Sequence, residues 1–240
     1  MQLHAAIVRS SIGFPVEPRL SLFPHYCLLC EVRFEGVRDL CEHCHATLPW
    51  NDSACPRCGQ PLTGAGCISC RRLPVSCVQT VAPLRYEEAI ATWVQALKFH
   101  SGFREGQVLG ELLATAVEGT LGNRGRPDCI VPMPLAMRRL LRRGHNQAAF
   151  IARIISKRVH IPVRHRLLTR TRATLKQADL PRSARRANVV RAFAACDVTG
   201  LHIALVDDVL TTGATMQSAT RVLLVSGAAA VEWWVAARTP

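Results

Sequence analysis

Aromatic residues make up only 5% of the 240-residue chain, which argues against a nucleic-acid platform built on base stacking and leaves backbone phosphates as the main contact. No stretch reaches the roughly 18 apolar residues of a membrane span. Ahead of Arg9 only Ala5 to Val8 are apolar in a row, too short for the core of a signal peptide. No membrane insertion and a cytoplasmic location are therefore expected. Neither a G-x-x-x-x-G-K-[ST] nor a G-x-G-x-x-G segment is present, so these two glycine-rich phosphate cradles are excluded. Acids are scarce where bases gather: Pro134 to Ala195 holds sixteen Lys and Arg against Asp179 alone, in a chain of net charge +13. Such a field is either a solvated basic surface or an attractant for polyanions, whether a pyrophosphate-bearing ligand, single-stranded nucleic acid or RNA.

What the chain does have is hydrophobic content and cysteine. At 49% hydrophobic it can bury a sizeable core, and its length allows one full domain plus a small one. Eleven cysteines in a reducing compartment read as metal ligands, not as disulfides. Eight of them form four C-x-x-C pairs, Cys27/Cys30, Cys41/Cys44, Cys55/Cys58 and Cys67/Cys70. Each pair presents two sulfurs from one tight turn, and a second pair completes a tetrahedron with no open position, so two structural zinc ions are expected. Consecutive pairing gives two successive ribbons; an interleaved cross-brace is the alternative. Few large apolar residues lie between Cys27 and Cys70, so metal would supply on the order of 10 to 16 kcal/mol of folding free energy per site. The expected layout is an N-terminal extension over 1–21, a double zinc-ribbon domain over 22–77, and a larger domain over 78–240. The ribbon domain fits a docking or nucleic-acid module as well as it fits a stabilising cap. Cys129, beside Ile130 and Val131, reads as a small buried residue.

In the larger domain, helical periodicity spans Leu84 to Lys98, Val108 to Val117 and Gly144 to Val159. Asp128 to Pro134 reads as a buried strand that ends at its prolines, and Val163 to Leu168 as another. Thr169 to Asn188 is polar and basic, carrying Arg170, Arg172, Lys176, Arg182, Arg185 and Arg186, which reads either as a mobile loop able to close over an anionic ligand or as a disordered basic surface loop. Leu201 to Asp207 is a central strand, Thr215 to Val225 a helix, and Ala229 to Ala236 a last strand. The fold class is α/β, a mainly parallel sheet with helices on both faces behind the small cysteine-rich domain. Ile203 to Thr215 is the most informative run. An apolar strand delivers Asp207 and Asp208, then Thr211, Thr212, Gly213, Ala214 and Thr215 offer N–H groups and hydroxyls at a helix start. Carboxylates do not hold phosphate, so the acids suit ribose hydroxyls or a ligand-borne magnesium ion.

That run resembles the loop that binds 5-phosphoribosyl pyrophosphate (PRPP) in type I phosphoribosyltransferases. With the cysteine pairs, Val131-Pro132-Met133-Pro134, the Arg138 to Gln147 segment and the arginine-rich stretch after it, the chain from about Leu22 to Arg238 resembles the ComF family of phosphoribosyltransferase-like proteins. The resemblance implies roles for particular residues. Asp207 and Asp208 would be the catalytic acids on the ribose, and Thr211, Thr212, Gly213, Ala214 and Thr215 would hold the 5-phosphate. Val131, Pro132, Met133, Pro134, Arg138, Arg139, Arg142 and Arg143 would hold pyrophosphate with magnesium. His145 stands where the family more often has an aromatic residue. The family's association with competence implies a single-stranded DNA partner, for which Arg170, Arg172, Lys176, Arg182, Arg185 and Arg186 are the candidates, and other DNA-uptake proteins. Phosphoribosyl transfer needs no side-chain nucleophile, and no acceptor pocket is legible. A nucleobase-salvage phosphoribosyltransferase with the ribbons as scaffold, and a non-enzymatic nucleic-acid adaptor with PRPP as regulatory ligand, remain the alternatives.

Stripping the metal with a chelator is expected to unfold the Cys27 to Cys70 segment, read as a sharp gain in protease cleavage there that added zinc reverses.

Overall fold

The computed structural model describes residues 25–35, 39–62, 64, 66–72, 76–121, 125–171 and 192–240. The expected N-terminal extension and Arg172, Lys176, Arg182, Arg185 and Arg186 lie outside them. The chain divides into two units, Met1–Leu48 and Pro49–Pro240. In the first, β1 (His25–Tyr26) pairs antiparallel with β2 (Arg33–Phe34). The short α1 (Glu42–Ala46) starts at Cys41, whose Sγ accepts from the Cys44 N–H at 3.5 Å. Among the described residues, its buried apolar side chains are Cys27, Leu40, Cys44 and Leu48, too few to sustain a fold unaided.

The second unit is organised by a parallel sheet whose inner strands are apolar nearly throughout, because both faces are covered. β8 (His202–Leu210) runs between β5 (Cys129–Pro132) and β9 (Ala230–Arg238). The two-residue β3 (Thr80–Val81) and β4 (Leu84–Arg85) pair with the far side of β9, and every pairing is parallel. Ile203 and Leu205 of β8, with Val231, Trp233 and Val235 of β9, pack in one cluster with Met216, Ala219 and Leu223. These last three belong to α7 (Ala214–Val225), and the Trp233 indole N–H donates to Thr220 Oγ1 at 2.7 Å. Side chains alternate along a strand, so Ala204 and Val206 point the other way. That face is covered by α4 (Phe103–Leu121) and α6 (Gln147–Val159), with α3 (Glu88–Phe99) laid on α4. Helices therefore lie on both faces of a parallel sheet. α4 approaches α6 closely because Gly110 has no side chain: a Cβ there would stand 2.6 Å from Ile154 Cδ1.

Three elements differ from the sequence reading. Leu84 is fully buried in a strand that pairs with Ala237, and the helix begins only at Glu88. An apolar residue at helical spacing satisfies either pattern, and here the open edge of β9 takes it. Val163 makes a single parallel bridge to Ile130 where a full strand was expected; Arg164, His165 and Arg166 after it are exposed, and charged side chains in succession do not extend a sheet buried on both faces. β6 (Leu168–Arg170) instead pairs antiparallel with β7 (Phe193–Ala195), so Thr169 and Arg170 lie in a two-stranded ribbon; from Arg172 on, the expected loop lies outside the described residues.

Near the start of β9, Glu232 is buried, accepts a hydrogen bond from Gln79 Nε2, and lies 3.8 Å from His202 Nε2. Burial pushes its carboxyl up from 4.5 to about 7. An acid raised in the native state contributes stability that is lost as pH climbs from its unfolded value through its folded one. Glu232→Gln is expected to stabilise the protein by about 1–3 kcal/mol at pH 8 and by little at pH 5, as read from denaturant midpoints at the two pH values.

Candidate functional site

Ligands of open α/β sheets collect beyond the carboxyl ends of the strands, and β5, β8 and β9 all end on one side. β8 does not stop at the acids. Asp207 is paired with Val235, and the ladder continues through Val209 with Ala237 and Leu210 with Arg238. Both carboxylates are therefore held on regular strand backbone and, being adjacent, leave it on opposite faces. Asp207 Oδ1 accepts from the Asp208 N–H at 2.9 Å, and Asp208 Oδ1 from the Val209 N–H at 2.7 Å. On the face covered by α3, α4 and α6, buried Asp208 pairs with Lys98 Nζ at 3.2 Å. Asp207 has no such close cation among the described residues. Burial, reinforced by the neighbouring Asp208 charge, pushes its carboxyl up to about 7.

Two arginines act electrostatically on the pair, Arg143 on both acids and Arg170 on Asp207. Burial draws the Arg143 guanidinium below its ordinary value, and Asp208 pushes it back up. The same holds for Arg170 on β6, with Arg139 adding to the downward pull and Asp207 opposing it. Arg139, Arg142 and Arg143 lie on α5 (Met137–Arg143), a helix with no buried residue. Arg138 is exposed on the same helix. Stacking and hydrogen bonds hold this exposed helix: the Arg143 and Arg142 guanidinium carbons lie 5.0 and 6.0 Å from the Phe99 ring centre, and Arg143 Nη1 donates to Gln147 Oε1 at 3.0 Å. His145 ties the end of α5 to the end of α3, its Nδ1 3.0 Å from Arg143 O and its Nε2 2.9 Å from Leu97 O. Asn146 caps α6 through the Ala149 N–H and donates to Met133 O at 3.1 Å. At the end of β5, Val131 and Pro132, and Met133 just after it, are buried, and the Met133 N–H donates to Val206 O at 2.8 Å. That leaves backbone and the half-buried Pro134 to meet a ligand there.

Past the acids, Thr211, Thr212 and Thr215 are exposed. Gly213 caps α7 at φ +75°, a left-handed conformation that glycine adopts without the strain a side chain brings. The first-turn N–H groups of α7 lack carbonyl partners within the helix and form its positive end. Asp207, Asp208, Arg139, Arg143 and Arg170 thus come together, whereas the other nucleic-acid candidates fall outside the described residues. Lys98, Phe99 and Arg238 were missed in the sequence. Lys98 and Phe99 carry no motif signal; Arg238, a charged residue closing the apolar strand Ala230–Arg238, was the one visible cue.

The eight paired cysteines form two clusters in chain order, Cys27/Cys30/Cys41/Cys44 and Cys55/Cys58/Cys67/Cys70, each with its sulfurs within 4.8 Å of one another. The second lies in the same unit as the sheet. Sulfur separations of 3.9 Å for Cys30 and Cys41, 3.8 Å for Cys55 and Cys70, and 3.4 Å for Cys58 and Cys67 suit the edges of a tetrahedron with Zn–S bonds of about 2.3 Å. Cys77 and Cys129 are buried, and burial pushes the Cys77 thiol up to about 12, a packed and unreactive state.

Residues 20–78 match the family model described as a double zinc ribbon domain. DNA utilization protein YhgH of Escherichia coli K12 is 33% identical over 222 residues, 90% of this chain and 98% of that protein. Competence protein F of Haemophilus influenzae is 28% identical over 228 residues, 91% of this chain and 99% of that protein. Among solved structures, the B. subtilis glutamine PRPP amidotransferase complexed with ADP and GMP is 20% identical, with a TM-score of 0.37 over 55% of this chain, which spans only 26% of that one. That likeness is too slight to add to the strand order above. No helix among the described residues is long and apolar enough to cross a membrane. Identity sustained over nearly the full length of YhgH, joined to two four-cysteine clusters and the acidic end of β8, places the chain in the ComF family.

Proposed function

We propose that the protein binds PRPP with magnesium at the carboxyl end of β8 and contacts single-stranded DNA through its basic surface, in the uptake and handling of DNA during natural transformation. One observation carries this reading. Two strand-held acids sit among Lys98, Arg139, Arg143 and Arg170, beside an exposed threonine turn that opens a twelve-residue helix. A ligand that fits must offer hydroxyls or a metal to the acids, a phosphate to the turn and a second anion to the arginines, and a phosphorylated ribose carrying pyrophosphate offers all three. The names of YhgH and Competence protein F support the biological setting.

In this reading the N–H groups and hydroxyls of Thr211 to Thr215 hold the 5-phosphate, and Asp207 and Asp208 accept from the ribose hydroxyls. The end of β5 through Pro134, with Arg138, Arg139, Arg142 and Arg143, faces the pyrophosphate. Magnesium, when bound, neutralises part of the pyrophosphate charge. Should transfer occur, the C1–O bond breaks with its electron pair leaving on pyrophosphate, the arginines offset that charge while C1 takes on oxocarbenium character, and a lone pair of the acceptor nucleophile forms the new bond to C1. Ligand occupancy alone is the other mode of action. A screen of nucleobases for pyrophosphate release separates them, and turnover with one base at ordinary enzyme rates would favour salvage.

Calorimetric titration of PRPP with magnesium is expected to give binding that Asp207→Asn/Asp208→Asn weakens at least about tenfold, since each lost charged hydrogen bond costs about 1.5–3 kcal/mol; equal affinities would remove the site assignment. Because the Asp207 carboxyl lies near 7, the ionised form that accepts from hydroxyls grows as pH rises. Affinity is accordingly expected to increase by up to about tenfold between pH 6 and 8, and Asp207→Asn should flatten that rise. Affinity for an oligo-dT strand should fall steeply with salt; a salt-independent value would contradict contact through phosphates.

A further inference from the structure

Arg238, the last residue of β9, is 8% exposed and joins the second cysteine cluster to the phosphate turn. On one side its Nε donates to Cys58 O at 3.3 Å and its Nη2 to Gln60 Oε1. On the other its Nη1 faces Leu210 O at 2.9 Å, Thr211 O, and both oxygens of Thr239 at 2.8 and 2.9 Å. A guanidinium is a planar fork of five donors that stays charged, so one rigid group spans the two elements.

Each side of this bridge has a consequence. The peptide unit is planar and trans, so its C=O and N–H point in opposite directions. With Leu210 O and Thr211 O turned inward onto the guanidinium, the N–H groups of Thr211 and Thr212 face outward, where an anion would sit. On the cluster side, the Cys55 to Gln60 knuckle rests on the sheet. The Thr80 N–H donates to Pro56 O at 2.8 Å, Thr80 Oγ1 to Arg57 O at 2.6 Å, and Asn51 Nδ2 to Gly59 O at 2.9 Å. Cys67, just before the five-residue α2 (Ile68–Arg72), and Cys70, within it, close the tetrahedron from beyond the knuckle. Four thiolates around one Zn²⁺ sum to a formal charge of −2, which the buried guanidinium next to Cys58 O complements.

We propose that Arg238 is a positioning residue through which metal occupancy at Cys55, Cys58, Cys67 and Cys70 sets the order of the Leu210 to Thr215 turn and hence its affinity for a phosphate group. This rests on the reading that the turn holds the 5-phosphate of PRPP. The first cluster, in a separate unit, has no part in it.

The test uses the full chain and two measurements: amide hydrogen exchange over 210–216 without ligand, and calorimetric binding of PRPP with magnesium. Arg238→Gln and the pair Cys67→Ser/Cys70→Ser are each expected to speed exchange at 210–216 and to weaken binding about tenfold or more. Exchange in β8 from His202 to Val206 stays slow, which separates a loosened turn from a loosened sheet. Cys41→Ser/Cys44→Ser changes neither quantity, and Arg238→Lys, which keeps the charge but loses the fork, recovers only part of both. Combining Arg238→Gln with Cys67→Ser/Cys70→Ser adds little, because the two act in series. Unchanged exchange at 210–216 in the Arg238→Gln and second-cluster variants overturns the proposal, as do losses that add in full. If wild type fails to bind PRPP, or binds no better than Asp207→Asn/Asp208→Asn, the site reading fails, while the exchange measurement still decides whether Arg238 links the cluster to the turn.

Discussion

Two adjacent carboxylates, held on a strand that β9 pairs past both of them, are the constraint around which the second unit is arranged. β5 pairs with β8 only from Ile203 to Val206, while β9 runs beside it past both acids to Leu210, so their backbone is fixed by one neighbouring strand. Their charge has to be met where they stand. Asp208 meets it with Lys98. Asp207 meets it in part by holding its proton to unusually high pH and in part through Arg170 and the more distant bases. An unpaired buried charge is costly, and the nearby cations lower that cost here.

The surrounding elements have one physical task, to hold cations around that strand end. Phe99 presents a ring to two guanidiniums, His145 and Gln147 tether the exposed α5, and Asn146 starts α6 while holding the β5 loop. None of these is a ligand group by itself. Together they turn a solvent-exposed basic helix into a cluster of defined geometry, the kind of support shell that binding sites need if positions are to be held within a fraction of an ångström. The zinc clusters solve a different problem. Short segments with few apolar residues cannot bury enough surface to fold, and metal–thiolate bonds substitute for a core.

Much of this was legible in the residues. The C-x-x-C spacing announced two four-cysteine clusters, the apolar runs around Ile203 and Val231 announced strands covered on both faces, and Asp207-Asp208 followed by Thr211 to Thr215 announced an acid pair beside an exposed threonine turn that opens a helix. Boundaries were less legible. Leu84 joined a strand because β9 had an unpaired edge to offer, and β8 ran past its acids because β9 continues beside it to Arg238. A local pattern carries no information about which neighbour is available to pair.

Residue type and spacing alone determined the chemistry on offer: thiolates in pairs, two acids, a threonine-rich turn and a surplus of arginine. Only the tertiary structure decided which of them meet. Lys98 lies 110 residues before Asp208 and Arg238 lies 180 residues beyond Cys58. Periodicity and motifs reach across one or two turns of helix, whereas these contacts arise from the order in which strands stack and from the way helices drape over them, and that order emerges only when the whole chain buries its apolar surface at once.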